Sequence, residues 1–570
     1  MNAPTPALVA RPERLRLVGQ RRQILALTHQ RLMFGLLVYG GIIAIIVLRL
    51  LWLAAFGDHA GRKGVLTGLV PPRGDIVDRD GQPLAGSIDV WSIALHPGMV
   101  IGDKLSLARS LAKLMSEHDE ADYFAMLRSD KPFFYLQRRA SPQLVEAVNA
   151  LGEPGLALER TPDRLYPQTS LAAHVIGYTD IDGHGVAGVE RAFDQRLSDP
   201  ATRGQPMILS ISSKVQQALE HELNAAMMQF SAIGAAGIVM DVHTGEILAM
   251  TSLPSLNPNI AGKGSPEARF NRATLGVYEL GSTFKPFTVG MAMDSGVVKS
   301  VGQVYNCPKE FHYGKVTVHD THPFGRSCTV AEIMKESSNI GTAQIALQVG
   351  ATRQRAFLEK MGFLAPVAVE IKERGRTLTP GNDWGEIATM TVGYGHGIAV
   401  TPLHLATGYA TLFNGGVYHP ATILKVDRNH PVGAGRRVFS ENTSYKSRAL
   451  LRLVVAQGTG KKADAPGYRV GGKTGTAEKL VGGRYTSAAV VTTFAGVFPM
   501  DEPRYVVVAM LDDPKATKDT YGFHTAGWNV APVVSRTISR IAPMLGIRPD
   551  MHRDANMSEV LPFVHETKEH

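Results

Sequence analysis

Acidic residues are nearly missing from the first 31 positions, cysteine from almost the whole chain, and a second long apolar run from everything past residue 56. Two cysteines in 570 residues cannot build a disulfide scaffold, a multi-cysteine zinc array or an iron–sulfur cluster. Charged residues make up 19% against 44% apolar, so the chain can bury a large core and is not disordered. The net charge of +9 looks like a nucleic-acid footprint until it is located. Residues 1–31 hold six arginines (11, 14, 16, 21, 22 and 31) and one acid, Glu13. That +5 leaves +4 for the other 539 residues, so the basic excess is a terminal tag and argues against nucleic acid as a partner.

The segment next to the tag explains it. Leu32 to Leu48 carries no charge, and after Arg49 the apolar run resumes to Phe56. At about 1.5 Å per residue, 25 helical residues cover about 37 Å, enough for a hydrocarbon core of about 30 Å. Arg49 can snorkel and Trp52 suits the interface. A cleaved signal peptide has a shorter core and a small-residue exit, so residues 32–56 read as an uncleaved transmembrane anchor. The arginines ahead of it predict a cytoplasmic tail over 1–31 and a translocated bulk.

At 570 residues the chain should hold two to four domains. Residues 57–205 read as a mixed α+β pedestal without a long core sequence of its own, with a helical period over 103–128. A second domain spans 206–545. Ser212 and Ser213 are N-cap candidates for a helix to about Phe230, with Val215, Leu219, Leu223 and Met227 on one stripe. The runs 235–242 and 247–254 form a hairpin pattern around Thr244-Gly245. Two more apolar strands, 487–498 and 504–511, come after a helical middle. That order suggests an antiparallel sheet with helices on its faces. Residues 546–570 are polar and read as a frayed tail, and no internal repeat is visible.

Ser-x-x-Lys occurs at Ser110-Leu111-Ala112-Lys113 and at Ser282-Thr283-Phe284-Lys285. The first lies in an amphipathic helix with structural surroundings. The second comes after Glu279-Leu280-Gly281 and opens an apolar stretch, as a serine at a helix start does. There the i, i+3 spacing sets Lys285 on the same face as the Ser282 hydroxyl. A serine nucleophile needs a base, and a desolvated lysine near another cation can act as one. Ser337-Ser338-Asn339 and Lys473-Thr474-Gly475-Thr476 come next in chain order. Ser440-Glu441-Asn442 shows that Ser-x-Asn alone is weak, but the ordered trio is specific.

With these motifs the chain resembles the serine penicillin-binding proteins and active-site serine β-lactamases. Arg73-Gly74-Asp75-Ile76-x-Asp78-Arg79-x-Gly81, Arg164-x-Tyr166-Pro167 and Gly185-x-x-Gly188-x-Glu190 are similar to pedestal motifs of the class B penicillin-binding proteins. The segments Gly393–Leu403 and Ala526–Pro532 resemble those of the division-specific branch, with His404 where that branch has glutamine. The resemblance implies an α+β fold: a β-lactamase-like transpeptidase domain on a pedestal, behind one transmembrane helix. It implies that Ser282 attacks the penultimate D-Ala carbonyl of a peptidoglycan stem peptide ending in D-Ala-D-Ala, with Lys285 as base. Ser337 and Asn339 relay a proton and hold the substrate amide. Lys473, Thr474, Gly475 and Thr476 line the carboxylate site, and the N–H groups of Ser282 and Thr476 form the oxyanion hole. No metal, nucleotide or other cofactor is required.

The same resemblance implies β-lactams as inhibitors, a place in the inner membrane, and a SEDS-type glycosyltransferase and other division proteins as partners. Arg73, Asp78, Arg164 and Glu190 are expected to form a buried ion network tying pedestal to catalytic domain. An elongation-type transpeptidase shares every catalytic motif, while a β-lactam sensor needs a cytoplasmic effector that 31 residues do not supply. Cys307 and Cys328 bracket His312, His319, Asp320 and His322. A disulfide, a structural zinc site and neither all remain open there.

Overall fold

The computed structural model describes residues 33–48, 73–381, 384–427, 435–482 and 484–565. The basic tail lies outside the described residues, as do Leu32 and 49–56 of the expected anchor. Residues 33–48 are helical, and among the described residues no helix is long and apolar enough to cross a membrane. They belong to a unit separate from the chain beyond Leu69.

In the pedestal, strand β1 (Pro83–Leu95) pairs antiparallel with β2 (Phe134–Ala140) on one side and with β3 (Leu156–Leu165) on the other. The helical period over 103–128 resolves into two helices, Lys104–Leu114 and Glu120–Leu127. Asp119 accepts from the Asp122 N–H and starts the second one, so capping chemistry overrides the continuous apolar period. Leu107, Leu111, Tyr123, Leu127, Leu136 and Val148 close a core around Ile93 and Leu95. This part of the pedestal therefore assembles a core from short, scattered apolar runs rather than from one long core sequence.

The catalytic domain begins with α1 (Ser213–Gln229), where Val215, Leu219 and Leu223 are buried as the stripe predicts. Strands β4 (Gly234–Asp241) and β5 (Ile247–Leu253) form the expected hairpin. Helices α2 (Lys285–Asp294), α3 (Val330–Glu336), α4 (Asn339–Val349) and α5 (Glu441–Gln457) fill the middle. Strands β6 (Gly471–Val481), β7 (Arg484–Phe498) and β8 (Tyr505–Asp512) precede α6 (Val530–Met544). The sheet order is β6-β7-β8-β4-β5, antiparallel throughout. Every residue of β8 is buried because both faces are covered. Val507, Ala509 and Leu511 pack with α1 and α6, while Val506, Val508 and Met510 pack with Phe287 and Tyr409.

Two expectations are corrected. Arg73, Arg164 and Glu190 do converge: Arg73 Nε lies 2.5 Å and Arg164 Nε 2.7 Å from the Glu190 carboxylate. Asp78 is not part of that cluster. Its Oδ2 accepts from the Ser213 N–H (3.0 Å) and hydroxyl (2.7 Å), capping α1. The three-residue network thus organises the pedestal, and Asp78 alone of the four bonds directly to the catalytic domain. The C-terminal segment is also not frayed over 546–565. Arg452 holds Asp554 at 2.7 Å, the Phe563 carbonyl accepts from Thr329 Oγ1, and His565 meets Glu332 at 2.9 Å. A polar composition conceals docking in which these polar contacts flank a few scattered apolar anchors, Ile547, Ala555 and Val560, that are buried in the core.

Candidate active site

The nucleophile turn is built before its helix. Gly281, at φ +54°, enters a 3-10 turn, Gly281–Phe284, that runs directly into α2. Phe284 and Phe287 anchor this element in the core, leaving Ser282 half-buried and facing the cleft while Lys285 is fully buried. Strand β6 is the sheet edge, so alternate backbone groups on it have no strand partner. It closes on the turn only because position 475 is glycine: a Cβ there would lie 2.3 Å from the Leu280 carbonyl. Side chain and backbone of the Lys473-Thr474-Gly475-Thr476 segment are thereby set against Ser282.

The third element comes from a break between helices. α3 ends at Ser337, whose φ of 64° is left-handed, a costly conformation for a residue with a Cβ. Asp320 holds the break: it accepts from Ser338 Oγ (2.6 Å), the Asn339 N–H (2.5 Å) and the Ile340 N–H (3.0 Å). Asn339 Nδ2 donates to the His319 carbonyl at 3.0 Å, turning its own oxygen toward Lys285. Lys285 Nζ then donates to Asn339 Oδ1 (2.7 Å), to Ser337 Oγ (3.1 Å) and to the Ser337 carbonyl.

Lys473 is fully buried too, donating to the Thr474 carbonyl at 3.1 Å and to the hydroxyls of Thr474 and Thr459 at 3.4 Å each. Among the described residues neither lysine is paired with a carboxylate, and both lose basicity. Burial, with the Lys473 charge adding to it, holds Lys285 well below the usual lysine range against a smaller opposing pull from Asp320. Burial alone brings Lys473 down to about 7. The first amine is suited to accept a proton from a hydroxyl. The second can hold its charge once an anion arrives.

Of the expected residues, Ser282, Lys285, Ser337, Asn339, Lys473, Thr474, Gly475 and Thr476 are gathered in one cleft. Thr476 has an additional task, since its Oγ1 accepts from the Ala526 N–H at 3.0 Å and docks the Ala526–Trp528 segment. Ser110 sits in the pedestal helix and donates to the Ser106 carbonyl. His404 caps its helix through Thr401 and bonds the Ala365 carbonyl, outside the cleft. Cys307 and Cys328 are bonded to each other across a two-stranded ladder, with Cα atoms 5.9 Å apart. The zinc alternative therefore loses both thiols, and Asp320 is spent on the Ser337 break. Two contributors carried no signal in sequence: Asp320 in its capping role, and Thr459, hidden between two glycines.

Family models match the penicillin-binding protein transpeptidase domain over residues 235–534 and the penicillin-binding protein dimerisation domain over 69–205. A probable peptidoglycan D,D-transpeptidase FtsI of Caulobacter vibrioides is 38% identical over 513 residues, covering 87% of this chain and 85% of the relative. The peptidoglycan D,D-transpeptidase FtsI of Escherichia coli K12 is 32% identical over 516 residues, with 84% of each covered. Penicillin-binding protein 3 of Mycobacterium tuberculosis, solved with aztreonam, superposes with a TM-score of 0.66 at 26% identity over 84% of this chain and 97% of that one.

Proposed function

From the premise that this chain belongs to the FtsI-type class B penicillin-binding proteins, we infer that it is a peptidoglycan D,D-transpeptidase that cross-links septal wall and is inhibited by β-lactams. The observation that carries the reading is a fully buried lysine, Lys285, hydrogen-bonded to Ser337 and Asn339 one turn from the Ser282 hydroxyl. In the proposed cycle Ser282 Oγ bonds to the carbonyl carbon of the penultimate D-Ala as its proton passes to neutral Lys285. The N–H groups of Ser282 and Thr476 take the developing oxyanion, a contribution of roughly 3–4 kcal/mol per donor. Ser337 returns the proton to the departing nitrogen, the peptide bond breaks, and the terminal D-Ala leaves. An amine of a neighbouring stem peptide then attacks the Ser282 ester, loses its proton to the same relay and frees the hydroxyl. Lys473, with the Thr474 and Thr476 side chains beside Gly475, holds the substrate carboxylate.

Labelled penicillin tests this reading. It should acylate the wild type and Ser110→Ala and leave Ser282→Ala unmodified. Intact-mass measurements over an hour after stoichiometric drug should find the adduct persisting, because a transpeptidase excludes the water that a β-lactamase positions. Labelling that survives Ser282→Ala, or rapid loss of the adduct with many drug molecules consumed, overturns it.

The proposal extends to place and partners. The arginine-rich 1–31 ahead of the apolar 32–56 supports an inner-membrane anchor with the pedestal (57–205) and transpeptidase domain (206–545) in the periplasm. The likeness to the division-specific branch, not the anchor, is what suggests a membrane glycosyltransferase of the SEDS type and other division proteins as company. A reporter active only outside the cytoplasm should work when fused after Phe56 and fail at Gln30. The reverse pattern refutes the topology.

A further inference from the structure

Among the described residues, the Thr459 hydroxyl is the one acceptor for Lys473 that comes from outside the Lys473–Thr476 strand segment. Thr459 lies between the end of α5 and the start of β6, in Gly458-Thr459-Gly460. Its backbone is fixed from two sides. The Thr459 N–H reaches the Lys335 carbonyl of α3 at 3.4 Å, and a Cβ at Gly458 would lie 2.4 Å from that same carbonyl. On the other side, a Cβ at Gly527 would lie 3.1 Å from the Thr459 carbonyl. The side chain is therefore held in register with the helix that ends at Ser337, the Lys473 strand and the Ala526–Trp528 segment.

The hydrogen count at this point leaves a donor over. Thr474 Oγ1 and Thr459 Oγ1 are 3.0 Å apart and share one hydroxyl hydrogen. Lys473 supplies an N–H to each of the two oxygens at 3.4 Å. Each hydroxyl has one hydrogen and two acceptor lone pairs. Whichever way the shared hydrogen points, the second hydroxyl hydrogen of the pair has no acceptor among the described residues. Thr459 is only partly buried and lies beside the Lys473 amine, so this hydrogen is available to an incoming acceptor.

We propose that Thr459 is a further substrate-binding residue: with Thr474 and Lys473 it forms the anion site that takes the terminal carboxylate of the D-Ala-D-Ala stem, and the spare hydroxyl hydrogen of the Thr459–Thr474 pair is donated to that carboxylate. The inference rests on reading the cleft as a D,D-transpeptidase site. It goes beyond that reading by adding a residue from outside the three motifs. It also explains how a buried lysine with no carboxylate partner is kept in place before substrate arrives.

The experiment compares penicillin G with its methyl ester, which lacks the anionic carboxylate. The full-length protein in detergent is used, and acylation rate constants are read by intact mass. Wild type, Thr459→Val and Thr459→Ser are each assayed with both compounds. Loss of a hydrogen bond to a charged group predicts that Thr459→Val slows acylation by penicillin G roughly ten- to a hundredfold. The methyl ester should slow by less than about threefold, and Thr459→Ser should restore the acid to within about threefold of wild type. Equal slowing of acid and ester, or no slowing of either, overturns the proposal, since a packing role does not distinguish the two compounds. If Thr459→Val does not fold, as judged by its melting transition, Thr459→Ala is compared with Thr459→Ser by the same ratio. Failure of the wild type to be acylated at Ser282 at all would instead sink the transpeptidase reading, whatever Thr459 does.

Discussion

Two pairs of buried cations among the described residues, one in the pedestal and one in the cleft, treat their charge in opposite ways. In the pedestal, Arg73 and Arg164 are 5% and 6% exposed and share the Glu190 carboxylate, which is 0% exposed. Burial works against the Arg73 charge, but Glu190 and then Asp194 more than offset it, and its pKa is raised. In the cleft, Lys285 and Lys473 are both 0% exposed and face only hydroxyl, amide and carbonyl oxygens. There burial wins, and both pKa values fall. Depth alone does not decide whether a cation stays charged; the presence of a fixed carboxylate does. One cluster is a permanent joint. The other is a pair of amines whose protons can be moved.

The sharpest way to break this contrast is to remove the cleft amine that must be neutral. Lys285→Met should lower the penicillin acylation rate by about 10²–10⁴-fold, the range of general base catalysis, with the fold intact by circular dichroism. A loss under tenfold would show that Lys285 is not the base.

In the pedestal the same logic predicts a stability effect without a chemical one. Glu190→Gln leaves the buried Arg164 guanidinium without its carboxylate and Arg73 with Asp194 alone, and should cost about 3–5 kcal/mol in denaturant unfolding. At low temperature, where the variant is still folded, Ser282 should acylate at close to the wild-type rate. Slowed acylation in the folded variant would mean that the two clusters are coupled.

Lys473→Met should run the other way and stabilise while it inactivates. An amine that is depressed in the folded state binds its proton more tightly when unfolded. Its destabilising effect is therefore complete below about pH 7 and fades as pH rises toward the unfolded value of roughly 10.4. The variant should gain about 1–4 kcal/mol at pH 6 and much less at pH 10. A gain that does not depend on pH would assign the effect to packing instead.

The smallest effect belongs to Asp78, a charged group in neither cluster. Burial opposes its ionisation, but hydrogen bonds from Ser213, Gln82 and Asp80 outweigh it and lower its pKa. Asp78→Ala should cost about 1–2 kcal/mol at pH 7, the range for a lost helix cap. The difference should begin to close as pH falls below about 3.9, the unfolded value, and be gone once pH has passed the lower folded-state value and the native carboxylate is protonated.

Much of this was legible before the structure because periodicity and motif order are local properties. The stripe of α1, the β4–β5 hairpin and the apolar runs of β7 and β8 each declare themselves within a dozen residues. Ser282 and Lys285 do so within four. What stayed hidden depends on contacts between distant segments. Asp320 reads as one more candidate metal ligand until the Ser337 break is seen resting on it. Cys307 and Cys328 keep three readings open until the ladder from Val304 to Cys307 and from Arg326 to Thr329 brings them together. The docking of 546–565 escapes because its apolar anchors, Ala555 and Val560, are isolated, and the others, Asp554 and His565, are charged or polar side chains that in sequence look like solvent-facing ones.

Strand order carries a consequence for how the protein comes into being. β4 is synthesised before Ser282, yet one of its two neighbours in the sheet is β8, synthesised long after it, and β6 joins the sheet only through β7 and β8. The latch on α3 waits later still, for Phe563 and His565. A growing chain therefore carries Ser282 through the synthesis of residues 283–472 before Lys473 and its strand exist. The site is thus assembled from segments that span almost the whole length of the chain, and it is complete only once the last strands and the C-terminal segment are in place.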